Sequence, residues 1–434
     1  MILLTCDHPK RELDDLKKIQ EILNQNNIKC KIINKALVTK AYNLYRPKVI
    51  TIPHPVDPMF KQINQIKNKA LTVLIPTESC IFVDKFIDML YFNKFKNYRL
   101  PSNFNKIDYI FSQSQYTSKY LKKKNKKKIK IIDTGFLYYD YWYKKKYKSS
   151  KERKRIGLAL TFNFPFRFYK EKEFVKNYYY TNRDFKILKN NWRLHELNLG
   201  LINLSIIFDI VDKLSKKYIL EIRPHPLDTQ TAWRQIYKNN KNVKINLDDN
   251  TSSWIERQDV IISTFSAINI DSYVYKKPHI SLVDMIPNNF FNFNAYNSHS
   301  YKDYKETSSH KPKNINDLIK IIKNVKFKSN QKMDFNLKKY YNYPLNGPSA
   351  DKIANNLIKI YNSKQTVKRD IVVYSKYQKK LNSIIGSYFS SLILFYLSEF
   401  KIFFNRYNQH NYFSLFTKLS LTLPRKILGF FKKY

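Results

Sequence analysis

A chain of 434 residues with 43% hydrophobic and 16% aromatic content is long and apolar enough for two packed domains and a tail, which excludes global disorder. Its formal net charge of +45 points to an anionic partner: nucleic acid, an acidic membrane face or a phosphorylated substrate. The abundance of Lys, Asn, Ile and Tyr fits a codon-biased genome equally well.

Ile2–Thr5 reads as a first strand. Pro9 then opens a helix from about Lys10 to Asn26, on which Leu13, Leu16, Ile19 and Leu23 recur at helical spacing. Strand-like runs follow at Ile28–Ile33, Lys48–Ile52, Ala70–Ile75, Tyr109–Ser112 and Ile129–Ile132, with a helical stretch ending at Tyr45. Strands alternating with helices mean βαβ units and a parallel sheet. This first domain is expected to span residues 1–140. KKKNKKKIK at Lys122–Lys130 holds seven lysines in nine positions and reads as a solvated helix end, or as a polybasic patch for anionic lipid. Tyr138–Lys154 looks like an interdomain linker.

A second domain, 150–362, opens with a strand at Arg155–Thr161, followed by an aromatic-rich insertion at Phe162–Tyr180 that suits a lid or a membrane-facing loop. A helix near Leu197–Leu214 leads to two short apolar runs, Tyr218–Ile222 and Val260–Ile262, which read as buried parallel strands. Pro287–Lys311 is polar and loop-like, and Ile315–Val325 and Ser349–Tyr361 read as closing helices. The tail, 363–434, contains an uncharged run at Leu381–Ser398, at the lower bound for a membrane span but rich in serine. With Phe413, Phe416, Leu419 and Leu423 near Lys418, Arg425 and Lys426, and ILGFFKKY at the end, it reads as amphipathic helices on an anionic membrane surface, or as a cap on the second domain.

Cys6, Cys30 and Cys80 lie far apart without a CxxC pair, which argues against a disulfide framework and a zinc site. The opening MILLTCDHPKRELDD has no basic leader and too short an apolar run for a signal peptide, so a cytoplasmic location is expected. With 6 glycines in the chain, neither GxGxxG nor GxxxxGK[ST] can be written, and no Asp-x-Asp occurs.

Both central runs end in residues that suit a ligand. Arg223-Pro224-His225-Pro226 follows the first, with the prolines fixing the backbone and displaying a cation beside a titratable imidazole. Ser263-Thr264-Phe265-Ser266 follows the second and precedes a helix, so Ser263, Thr264 and Ser266 read as a phosphate seat or as ordinary N-caps. Asp271 lies one to two turns on, placed for a ribose hydroxyl or for solvent. In the first domain, Glu78 follows the strand ending at Ile75 and reads as a general base, or as a helix-capping or salt-bridging residue. Asp7, His8 and Arg11 form a rim at the end of the first strand, with helix capping or salt bridging as the alternative.

RELDDL near the start, RPHP, STFSAINIDSYVYKKP and NGPSADKIA, in this order over roughly residues 1–362, resemble bacterial surface carbohydrate biosynthesis proteins. These are similar in turn to capsule polysaccharide, Kdo-, sialyl- and polyol-phosphate transferases with an HP motif. The resemblance implies an α/β GT-B fold: two Rossmann-like domains facing a cleft, with acceptor on the first and nucleotide donor on the second. It implies that His225 and Pro226 contact the donor's leaving phosphate, with Arg223 beside them, and that Ser263, Thr264 and Ser266 bind nucleotide phosphate. It further implies that Asp271 reaches the ribose and that Glu78 acts as base. Here Thr77 and Ser79 depart from the acid-acid-glycine pattern around that base.

The expected activity is a metal-independent glycosyl transfer from a nucleotide-activated sugar to a cell-surface polysaccharide or lipid-linked glycan, without a cofactor, with Glu78 or Asp7 as base. A CMP-activated acidic sugar and a CDP-linked polyol are both compatible donors, so polyol-phosphate transfer is the alternative, and a non-catalytic scaffold is a third. The expected partners include anionic lipids on the inner face of the cytoplasmic membrane. Nucleic acid is not expected, because the basic residues are dispersed and no reading motif occurs.

Overall fold

The computed structural model describes residues 1–7, 9–53, 57–77, 84, 107–124, 129–144, 154–160, 192–224, 230–246, 250–264, 266–287, 304–344, 346–365, 367, 383, 388 and 390–399. The aromatic insertion at Phe162–Tyr180, most of the Pro287–Lys311 segment and the tail beyond residue 399 lie outside them.

The first sheet is built from β1 (Ile2–Cys6), β2 (Cys30–Asn34), β3 (Val49–Ile52), β4 (Leu71–Leu74), β5 (Tyr109–Ser112) and β6 (Lys130–Asp133). They run in the order β2-β1-β3-β4-β5-β6, and every pair is parallel. Its helices are α1 (Pro9–Gln25), α2 (Val38–Tyr45), α3 (Asp57–Ile66) and α4 (Gln115–Lys124). Strands covered on both faces read as unbroken apolar runs, and every residue of β1, β3 and β4 is buried. On α1 the expected face Leu13, Leu16, Ile19 and Leu23 is buried, while Asp14 and Lys17 point to solvent.

The second sheet contains β7 (Arg155–Ala159), β8 (Ile219–Arg223), β9 (Val243–Ile245), β10 (Val260–Ser263) and β11 (His279–Ser281), again all parallel, in the order β11-β10-β7-β8-β9. Around it lie α5 (Trp192–Leu214), α6 (Gln230–Ile236), α7 (Thr251–Arg257), α8 (Ile268–Val274) and α9 (Ile315–Asn324). Its core joins Ile156, Leu158, Leu220, Ile222, Val260 and Ile262 to Ile207, Ile210 and Val211 of α5 and to Leu318 and Ile322 of α9. The strands β9 and β11 were not expected. Three-residue strands carry too little pattern to read, and His279 and Ser281 are polar residues buried only by what surrounds them.

Two expectations require correction. The stretch Tyr138–Lys154 is not simply a linker, because Leu137–Lys144 forms a 3-10 helix with Tyr138, Tyr139 and Trp142 buried. The helix α11 (Ser349–Asn362) lies along α1 of the first sheet, although its position in the chain follows the second. The amino group of Met1 donates to Tyr361 Oη at 3.0 Å, and Lys48 Nζ donates to the Ser363 carbonyl at 2.7 Å. The crossing is made by α10 (Gln331–Tyr341). At its start Tyr273 of α8 donates to Asp334 Oδ1 at 2.8 Å, and at its end the Lys339 carbonyl accepts from Ser114 Oγ at 2.9 Å.

Residues 1–372 form one compact unit and 373–434 another. In the second, residues 390–399 are helical, with Phe395 buried and Leu397 exposed. No helix among the described residues is long and apolar enough to cross a membrane.

Gly157 in β7 is required by packing. A Cβ there would stand 2.7 Å from the Trp254 ring of α7 and 2.7 Å from Gln258 Cγ, too close for either neighbour. Gly157→Ala is therefore expected to destabilise the protein by about 1–3 kcal/mol, the usual cost of overpacking. A urea-denaturation midpoint unchanged from wild type would show that Trp254 moves aside freely.

Candidate functional site

Parallel register sets the geometry at the carboxyl edge of the second sheet. Arg223, the last residue of β8, and Ser263, the last of β10, both pair with Ala159 of β7, one from each side. They therefore stand two strand spacings apart, roughly 9.5 Å. The chain passes from β7 outward in both directions, so β7 and β10 bound the topological switch point, the place where open α/β sheets bind ligands. The Arg223 guanidinium lies 5.7 Å from the Trp254 ring centroid and donates to Thr251 Oγ1 at 3.5 Å. His225 and Pro226, next in the chain, lie outside the described residues.

Ser263 faces inward. Its hydroxyl is 2.8 Å from His279 Nε2 and 2.9 Å from Tyr304 Oη, all three groups being buried. Burial pulls the His279 pKa down to about 3, so the ring is neutral at physiological pH, and it pushes the Tyr304 phenol up to about 12. Thr264 is also buried, and its carbonyl accepts from Ser281 Oγ at 3.3 Å. Ser266 is half-exposed and accepts from the Ile268 N–H at 3.3 Å. The serine-threonine run thus divides into an inward network at Ser263 and an outward-facing hydroxyl at Ser266.

Asp271 is buried, and its Oδ1 accepts from Tyr141 Oη and, at 2.8 Å, from Trp142 Nε1. Burial raises its carboxyl to about 6, against the opposing pull of those two hydrogen bonds and of the Arg223 charge. This oxygen is committed to the 3-10 helix between the sheets. The preceding residue, Asp140, accepts from the Ser349 and Ala350 N–H groups at 2.7 and 2.8 Å and so caps α11. Tyr139 and Trp142 stack at 3.9 Å, and Tyr341 and Tyr343 meet this pair edge-on. Sequence reasoning missed these partners of Asp271, although the run YYDYW was the signal. Lys277, in the same motif as Asp271, is likewise structural: it donates to the Glu256 and Gln258 carbonyls at 2.9 and 2.7 Å, where α7 ends.

At the switch point of the first sheet, between β1 and β3, stands Asp7. Its N–H donates to Glu12 Oε2 at 2.6 Å, and its Oδ1 pairs with Lys35 Nζ at 2.6 Å. The salt-bridging role is the one seen here, and Lys35 was not foreseen. Arg11 lies in the first turns of α1, and Thr77 is buried beyond β4. His8 and Glu78 fall outside the described residues.

No family model and no curated protein matches the chain. Among solved structures, the wall teichoic acid polymerase TagF is similar at 15% identity over 83% of this chain and 88% of that chain, with a TM-score of 0.51. Another TagF structure gives 16% identity over 84% of this chain and 90% of that one, also at 0.51. A UDP-GlcNAc 2-epimerase from Methanocaldococcus jannaschii matches at 14% identity over 82% of this chain and 99% of that chain, with a TM-score of 0.43. The chain has the GT-B fold.

Because the folded carboxyl of Asp271 titrates near 6 and an unfolded aspartate near about 3.9, the native state holds a proton that the unfolded chain has released between those values. Its contribution to stability therefore falls as pH rises through that window. Asp271→Asn keeps the acceptor oxygen and removes the titration. The variant should match wild type near pH 4 and exceed it at pH 7, by an amount on the order of 2–3 kcal/mol. Asp271→Ala leaves Tyr141 and Trp142 unpaired and should lose about 1–3 kcal/mol at either pH. Urea melts at both pH values check this, and an Asn variant less stable than wild type at pH 7 would contradict it.

Proposed function

We propose that the chain is a glycosyltransferase that moves a sugar from a nucleotide-activated donor to a cell-surface polysaccharide or lipid-linked glycan. The observation that supports this reading is the placement of Arg223 and Ser263 on either side of Ala159, at one edge of the second sheet of a GT-B fold. In this reading the donor's phosphates lie along that edge. Arg223 and His225 balance the charge that develops as the phosphate leaves, in place of a metal ion. Ser266 and the backbone beyond it contact the nucleotide. Glu78 takes the acceptor proton; Asp7 can do so only if its ion pair with Lys35 opens. The enzyme works at the inner face of the cytoplasmic membrane, to which its positive charge draws it.

The second reading is transfer of a polyol phosphate, prompted by the fold shared with a wall teichoic acid polymerase. The two reactions break different bonds. Sugar transfer from a nucleoside diphosphate sugar leaves both phosphates on the nucleotide, whereas transfer from a CDP-polyol carries the β-phosphate into the product and releases CMP. Labelling that phosphate separates them.

The first test is a thermal-shift screen against CMP, CDP, UDP and GDP. A nucleotide at about 100 times its Kd adds about 2.7 kcal/mol, which for a chain of this size raises the midpoint by roughly 5 °C. One nucleotide should do this for wild type, with the shift lost in Arg223→Ala and His225→Ala. A folded protein that responds to none of the four would remove the donor site from this edge.

A further inference from the structure

We propose that a second ligand site, for a phosphate-bearing glycan, lies on the first sheet between α4, α10 and α11. The structure has a cleft of 540 Å³ there, within the range of small-ligand pockets. Its floor is Asp133 and Gly135 at the carboxyl end of β6, and its walls carry Lys119 of α4, Lys338 and Lys339 of α10, and Lys352 of α11. Three helices, α4 lying more than two hundred residues before α10 and α11, thus line one concavity with four lysines.

The fold leaves most of this charge without an ion pair. Among the described residues, no carboxylate lies within ion-pair distance of Lys119, Lys338 or Lys352, and all three are exposed. Lys339 alone is engaged: it stands 3.4 Å from Asp84 and lies over the Tyr116 and Tyr340 rings at 4.2 and 4.7 Å. The helix ends nearby are also already satisfied, since the Gln115 N–H donates to Asn342 Oδ1 at 3.2 Å and those of Ser349 and Ala350 go to Asp140. The one carboxylate of the lining, Asp133, accepts from Asn342 Nδ2 at 3.3 Å. Four lysines against Asp133 in the lining and Asp84 beside Lys339 still leave a concave surface of net positive charge, which focuses the field outward onto an anion.

Among the described residues the lining contains no arginine, so the planar fork that binds carboxylate or phosphate with two bonds is absent and its cations are all lysines. Lysines act as point charges, which suits phosphate groups approached from several directions. Tyr116, Tyr343 and Asn346 add ring faces and an amide of the kind that contacts sugar rings and hydroxyls. The site therefore holds a phosphate-bearing stretch of glycan, several strands away from Asp7 along the same sheet.

The test uses a fluorescein-labelled polyphosphate of about ten units in anisotropy titrations at physiological salt, with the full-length protein. Lys338→Glu with Lys352→Glu should weaken binding at least tenfold, and Lys338→Gln with Lys352→Gln should weaken it less, with the melting midpoint preserved. The paired control, Lys217→Glu with Lys320→Glu, reverses two exposed lysines remote from the cleft and should change binding less than twofold. Equal losses in the cleft and control variants would show diffuse attraction to a basic chain and overturn the site. Phosphatidylglycerol vesicles form the second arm. Loss of vesicle binding in the cleft variant, with polyphosphate binding intact, would make the ligand a lipid headgroup and overturn the glycan assignment. The nucleotide thermal shift should be unchanged in the cleft variants, so failure here is distinct from failure of the donor site.

Discussion

The carboxylate of Asp140 is the contact on which the first unit depends. It accepts two N–H groups at the start of α11, a helix more than two hundred residues away, and thereby returns that helix to the sheet where the chain began. A buried acid is costly unless hydrogen-bonded, and the burial that pushes the Asp140 pKa upward is opposed by those two donors and by the helix dipole behind them. Gly135 makes the approach possible, since a Cβ there would stand 2.5 Å from Ser349 Oγ. The next two residues, Tyr141 and Trp142, donate to Asp271 on the second sheet. One short 3-10 helix thus ties α11 to α8, and with them the first sheet to the second.

This tie has a chemical consequence for the motifs. A segment such as STFSAINIDSYVYKKP invites a reading in which every polar residue faces a ligand. In the folded chain most of them face protein: Ser263 meets His279 and Tyr304, Asp271 meets the interdomain helix, and Lys277 closes the end of α7. Ser266 is half-exposed, and Arg223 lies at the same edge against Thr251 and Trp254. The buried polar network sets the height and angle of that edge. A nucleotide donor would be held by a few groups whose positions many others fix.

The charge of the chain is likewise uneven in its meaning. Many lysines lie on solvated helix faces, where they do little beyond keeping the protein soluble. Lys35 closes on Asp7, Lys48 reaches the carbonyl at the end of α11, and Lys277 is buried against two carbonyls, so some of the excess charge is structural. The lysines around the cleft at β6 are gathered by the fold, and three of them, Lys119, Lys338 and Lys352, have no carboxylate within ion-pair distance among the described residues.

The amino-acid sequence alone determined the alternation of strands and helices and the parallel character of both sheets, because local apolar runs and helical spacing carry that information over five to twenty residues. It also placed Arg223 and Ser263 at strand ends, since each follows an apolar run directly. It did not show that β9 and β11 are strands, for three residues carry no period, nor that α11 leaves the second sheet for the first. Those outcomes rest on contacts between residues far apart in the chain, and no local pattern encodes the partner of Asp140 or of Asp271. Tertiary structure also decided which polar residues turn inward. A serine, an aspartate or a lysine has the same local sequence signature whether it meets a ligand, solvent or a buried partner, and only the surrounding fold supplies the difference.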